Sequence, residues 1–227
     1  MTQASAPPVF RERPAAGEAS GLLVLHHGRG ANEHDLLPLA DVLDPARRLH
    51  VVTPRAPLTI AGWPGKHWYV VPRVGYPDAD TFHAAYALLS ALHDELWQRT
   101  GIVPARTVLG GFSMGSVMSY ALALAAQRPA PAGILAFSGF IPTVDGWQAQ
   151  LADRGGVRAF IAHGRNDPVI SVDFAHSARE RLVAGGLDVD YHEFAGGHEI
   201  DPSHIPVARR WLQGVLADEP PARAAAR

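Results

Sequence analysis

Val108-Leu109-Gly110-Gly111-Phe112-Ser113-Met114-Gly115-Ser116-Val117 is the stretch on which the fold of this chain turns. An apolar strand signal at Val108-Leu109 runs into two glycines, and the segment from Val117 to Ala126 is apolar nearly all round, as a buried helix is. Between them lies a G-x-S-x-G pentapeptide, Gly111 to Gly115. A strand that becomes a helix this abruptly brings the residues two before and two after the serine into collision unless both are very small. Ser113 is then held in a strained backbone conformation with its hydroxyl exposed above the sheet. The alternative, a glycine-rich turn with an incidental serine, does not account for the strand before and the helix after.

Outward from this turn, short apolar runs alternate with helical periods. Leu22–Leu25, Val51-Val52, Ile134–Phe137, Phe160–Ala162 and Val189–Phe194 read as further strands. Helices are expected from Asn32 as cap through Leu36, Leu37, Ala40 and Leu43, and over Phe82 to Trp97. Two more are expected at 172–184 and at 202–216, the last with Asp201 as N-cap and Pro202 at its first position. Continuous apolar strands alternating with helices predict an α/β domain, a mostly parallel twisted sheet with helices on both faces. In such folds, sites form beyond the carboxyl ends of the strands. Residues 1–20 read as a loose N-terminal extension or edge segment, 21–217 as the single domain, and 218–227 as a frayed tail.

A serine hydroxyl becomes a nucleophile only when a base removes its proton, and the base must be held in one tautomer by an acid. In the α/β-hydrolase fold the chain order is serine, acid, histidine. After Ser113, the strand Phe160–Ala162 ends in His163-Gly164-Arg165-Asn166-Asp167, and the next strand is followed by Ala195-Gly196-Gly197-His198. Asp167 and His198 thus fall on loops at the same rim as Ser113. The competitors sit in turns, inside a strand or at a cap: Asp145, Asp153, Asp188, Asp190 and Asp201 among acids, His192 and His204 among bases. His163 reads as a packing or hydrogen-bonding residue. Two backbone N–H groups are needed for the oxyanion. Met114, directly after the serine, supplies one, and Arg29 in the glycine-flanked loop His26-His27-Gly28-Arg29-Gly30 supplies the other.

Composition removes several other functions. The chain has 227 residues, 47% hydrophobic and 19% charged, and no cysteine, so disulfides, cysteine–zinc sites and a thiol nucleophile are excluded. The net charge is -2 with no basic block, which argues against nucleic acid. No apolar run is long enough for a membrane span. Met1 to Pro14 lacks the apolar core of a signal peptide, so a cytoplasmic protein is expected. None of the twelve histidines shows a recognised zinc spacing, and no metal or cofactor is expected.

With those motifs the sequence resembles the phospholipase/carboxylesterase family of small α/β-hydrolases, relatives of the acyl-protein thioesterases. The matching stretches are Leu25–Glu33, Thr53–Pro57, Gly110–Gly115, Phe137–Pro142, His163–Ile170 and Gly197–Ile200. The resemblance implies Ser113, Asp167 and His198 as triad and the amides of Arg29 and Met114 as oxyanion hole. It also implies a small-molecule ester as substrate, and dimerisation, which is frequent among small members. Members often carry Gln where Met114 stands and Gly or Ala where Ser116 stands, and the N-terminal edge hairpin is expected to be reduced here. The aromatic segment Pro57–Pro77 reads either as a loop over the acyl pocket, contributing Trp63, Trp68 and Tyr69 with Phe140 from the Phe137–Pro142 stretch, or as a surface loop tied down by its own aromatics. The expected activity is hydrolysis of short- to medium-chain carboxylic esters. A thioesterase, an acyltransferase or perhydrolase on the same triad, and a silent binding protein of the same fold are the alternatives; a peptidase and a dienelactone-type hydrolase fit less well.

Overall fold

A computed structural model describes residues 8–59 and 61–217. The strands, in chain order, are β1 (Phe10–Arg13), β2 (Gly21–His26), β3 (Leu49–Pro54), β4 (Leu58–Thr59), β5 (Lys66–His67), β6 (Thr107–Phe112), β7 (Gly133–Phe137), β8 (Arg158–Gly164) and β9 (Asp188–Phe194). The helices are α1 (Leu37–Leu43), α2 (Ala79–Thr100), α3 (Met114–Ala123), α4 (Asp173–Ala184) and α5 (Ile205–Ala217). Seven strands form one sheet in the order β1-β3-β2-β6-β7-β8-β9, parallel throughout except for the antiparallel β1. This is the α/β-hydrolase fold.

Side chains alternate across each strand, so the apolar runs feed two cores. Leu22 and Val24 point into the core shared with α2, α3 and α4, where Phe82, Leu89, Val117 and Leu182 are fully buried. Leu23 and Leu25 point into the other, packed by Leu39 and Leu43 of α1 and by Trp211 and Leu212 of α5. Helices on both faces are what allows the strands to be apolar without alternation. The chain leaves β2 toward β3 on one side and returns at β6 on the other. The β2/β6 boundary is therefore a topological switch point, and the loops after these two strands flank the crevice there.

Three expectations change. Asn32 does not cap a helix: α1 begins at Leu37, and the Asn32 side chain accepts from the His34 amide at 2.9 Å inside a turn. Pro38 explains this, since its ring tolerates only the first turn of a helix and cannot sit inside one begun at residue 32. The N-terminal segment is not loose over its whole length, because β1 pairs with β3 and Arg13 bonds the Asp44 carboxylate at 2.6 Å. The last helix starts as a 3-10 turn, Pro202–His204, before α5, with the Asp201 side chain capping Ser203 as expected. The tail at 218–227 lies outside the described residues. Among the described residues no helix is long and apolar enough to cross a membrane.

Candidate active site

The turn after β6 fits as tightly as the pentapeptide requires. Ser113 has φ 55° and ψ −121°, a left-handed region that costs a non-glycine residue strain. A Cβ on Gly115 would run into the His26 carbonyl, and one on Gly111 would meet that carbonyl and the backbone of Gly115. Both glycines are thus demanded by the close approach of α3 to β2. Ser116 ties the same corner together: its hydroxyl donates to the Gly111 carbonyl at 2.6 Å and accepts from the Phe137 amide at 3.0 Å. The hydroxyl closes the gap between the ends of β6 and β7, and Gly139 opposite leaves room for it.

Three loops bring the polar groups to this turn. His198, after β9, places Nε2 2.8 Å from Ser113 Oγ, and its Nδ1 lies 2.7 Å from Asp167 Oδ2, after β8. The other carboxylate oxygen, Oδ1, accepts from the amides of Val169 and Ile170, each at 2.8 Å. Burial pushes the Asp167 carboxyl upward, but the Ile170 amide, His198 and the Val169 amide outweigh it and hold the group below the ordinary carboxylate range. The Asp167 carboxylate is therefore ionised and aimed at His198 Nδ1. His163 Nε2 lies 2.8 Å from the Ile170 carbonyl and 3.3 Å from Asp167 Oδ2. Burial drives its pKa down, so it stays a neutral imidazole, donating from Nε2 to steady the acid's loop. Its ring is far from solvent and its bonds face the acid, which is the supporting part the sequence suggested for it.

The loop after β2 approaches from the other side. Gly30 (φ 84°) donates to the Lys66 carbonyl at 2.8 Å and Ala31 to Gly28 at 3.3 Å, and the Arg29 amide between them takes no backbone acceptor among the described residues. The Met114 amide, first in α3, lacks an intrahelical acceptor by its position. The loop is clamped from behind by the buried Glu33, which takes Arg55 Nε at 2.5 Å and a second bond from the same guanidinium, while Thr53 Oγ donates to its carbonyl oxygen at 2.6 Å. The Arg55 hydrogen bonds hold the Glu33 carboxyl at a pKa of about 2. This gives a test of the clamp. Stability from the pair should be fully present above the ordinary glutamate value of 4.5 and lost as pH falls from there toward 2. Glu33→Gln should cost about 2 kcal/mol near neutrality, less than the full shift implies because Arg55 is partly solvated, and should flatten this acid limb in denaturant titrations. An acid limb of unchanged slope in Glu33→Gln would contradict it.

A cavity of about 360 Å³ opens beside Ser113. Of the four residues expected to line the acyl pocket, Trp63, Tyr69 and Phe140 do, together with Arg29, Ser113, Met114 and His198. Trp68 does not. It is fully buried, its indole donates to the His27 carbonyl at 2.9 Å, and its amide donates to Met114 Sδ at 3.2 Å. It fastens the aromatic loop to the floor instead of facing the cavity, because an indole with an N–H is best placed where that donor finds a buried carbonyl. Val71, Val74, Phe112, Val169 and Ile170 complete the lining and were not singled out from the sequence. Val169 and Ile170 could have been found, since they follow Asp167 directly.

The phospholipase/carboxylesterase family model matches residues 12–216. Acyl-protein thioesterase 1 of Debaryomyces hansenii is 25% identical over 227 aligned residues, spanning 92% of this chain and 97% of that protein. The Bacillus cereus carboxylesterase structure superposes with a TM-score of 0.81 at 25% identity, covering 92% of this chain and 95% of that one. Esterase PE8 gives a TM-score of 0.76 at 28% identity, over 92% of this chain and 100% of that one.

Proposed function

The chain belongs to the phospholipase/carboxylesterase family and is a hydrolase of carboxylic ester bonds, and from that premise we propose that it cleaves short- to medium-chain esters through an acyl-enzyme on Ser113. The observation that carries this reading is the run of hydrogen bonds from Ser113 Oγ through His198 to an ionised Asp167, opening on a small apolar cavity. In the proposed cycle, His198 Nε2 removes the proton from Ser113 as Oγ attacks the ester carbonyl. The resulting oxyanion sits against the amides of Arg29 and Met114. His198 then gives its proton to the leaving alkoxide. A water molecule, deprotonated by the same nitrogen, then attacks the acyl-enzyme; the bond to Ser113 Oγ breaks, the carboxylic acid leaves, and His198 returns its proton to Oγ. Asp167 holds the proton of His198 on Nδ1 and stabilises the imidazolium formed in each half.

Cavity size and loop anchoring limit the substrate. A volume of about 360 Å³ is at the small end of ligand sites. The aromatic loop is also an unsuitable lid, because Trp68 and Tyr69 are buried in the core beneath it and would have to leave it for the loop to open. With a series of para-nitrophenyl esters, kcat/KM is expected to peak at short to medium acyl chains and to fall by about tenfold or more at palmitoyl. No rate jump is expected as a substrate passes its solubility limit; such a jump would mean the loop does open at interfaces. A second reading, acyl-thioesterase activity, is favoured by the relatives that carry that name. Running acyl-thioesters of the same chain lengths alongside the esters decides between the two.

A further inference from the structure

Arg29 is placed at the cavity by the same turn that presents its backbone amide, and it is exposed there. Among the described residues it is the one arginine, lysine or carboxylate residue lining the cavity, whose other walls are largely apolar. Among the described residues it has no ion-pair partner, whereas Arg55 close behind is bonded to Glu33 and Arg13 on the N-terminal edge strand to Asp44. Its charge is felt by the nearby His67, another cation-forming group and not a carboxylate. Trp63, 53% exposed, stands against Gly30 and walls the same corner. Arg29 thus belongs to the lining of an apolar cavity, and its guanidinium, free of an ion-pair partner among the described residues, is a planar fork of donors suited to a carboxylate.

We propose that Arg29 is a specificity-determining residue whose guanidinium binds a carboxylate on the substrate, so that the enzyme selects esters carrying a free carboxylate within a few bonds of the scissile carbonyl. The short spacing follows from the chain: the amide facing the oxyanion and the side chain facing the carboxylate belong to one residue. The carboxylate could lie on the acyl half, as in a monoester of a short dicarboxylic acid, or on the alcohol half, as in an ester of a short hydroxy acid. The inference rests on Ser113 acting as the esterase nucleophile.

The test uses matched pairs that differ only in the carboxylate. On the acyl side, para-nitrophenyl hydrogen succinate is compared with para-nitrophenyl butyrate; on the alcohol side, the butyryl ester of glycolate is compared with ethyl butyrate. For the wild type the anionic member should have the higher kcat/KM by about tenfold in one of the two pairs, the scale of one charge-assisted hydrogen-bonded contact. Arg29→Gln should remove that preference as a ratio within the pair, and Arg29→Lys should keep part of it. Raising NaCl from about 20 mM to about 500 mM should erode the wild-type preference, a readout that needs no variant to fold. The proposal is overturned if the neutral member is preferred in both pairs, if the preference does not respond to salt, or if a folded Arg29→Gln keeps it. Failure to hydrolyse any of the four esters would instead overturn the esterase reading beneath it.

Discussion

Ser113→Ala is expected to lower kcat for para-nitrophenyl butyrate by a factor on the order of 10⁶, the scale on which losing the nucleophile of a triad acts. The variant should still fold. Alanine keeps the Cβ already accommodated at φ 55°, and among the described residues the hydroxyl it removes bonds His198 alone. Its thermal midpoint should therefore stay within a few degrees of wild type while activity disappears. Retention of more than a hundredth of the wild-type rate, with the fold intact, would mean that another group attacks the carbonyl.

Asp167→Asn is expected to cost roughly 10⁴ in kcat. The carboxylate accepts a hydrogen bond from His198 Nδ1–H and so keeps the proton on Nδ1, which leaves Nε2 bare to take the serine proton. An asparagine amide would donate to Nδ1 instead, moving the imidazole proton to Nε2, where it faces the serine and cannot accept. Asp190→Asn and Asp201→Asn are the controls: the first carboxylate meets His192 at 2.7 Å and the second caps Ser203 at 2.8 Å, and neither touches His198. Either control losing more activity than Asp167→Asn would show the acid to be misassigned.

The three residues tested or invoked here were legible in the sequence because each stands at a strand-to-helix or strand-to-loop junction. The G-x-S-x-G glycines have a steric reason that needs no tertiary knowledge, and once the serine is placed the fold fixes which later loops can reach it. Boundaries were less legible where a local signal competed with a distant partner. Asn32 is a good cap residue, yet Pro38 and the pull of Arg55 on Glu33 turn residues 32–36 into a knot of turns. The pairing of Phe10–Arg13 with β3 is long-range and leaves no periodic trace in four residues. Trp68 and Trp63 sit five positions apart in one loop, and composition alone does not say that the first is sunk under the cavity and the second stands at its edge. The Glu33–Arg55 clamp joins loops after two different strands, so only the sheet order reveals it.

The most direct test of the central claim is covalent. A fluorophosphonate reacts with an activated serine and leaves a mass label on the attacked oxygen. Incubation of the intact protein followed by peptide mapping should give one adduct per chain, on Ser113 in the peptide spanning the turn after β6. The labelling rate should collapse in Asp167→Asn in step with kcat. A stoichiometric adduct on any other residue, or an unlabelled protein that still hydrolyses esters, would contradict the account.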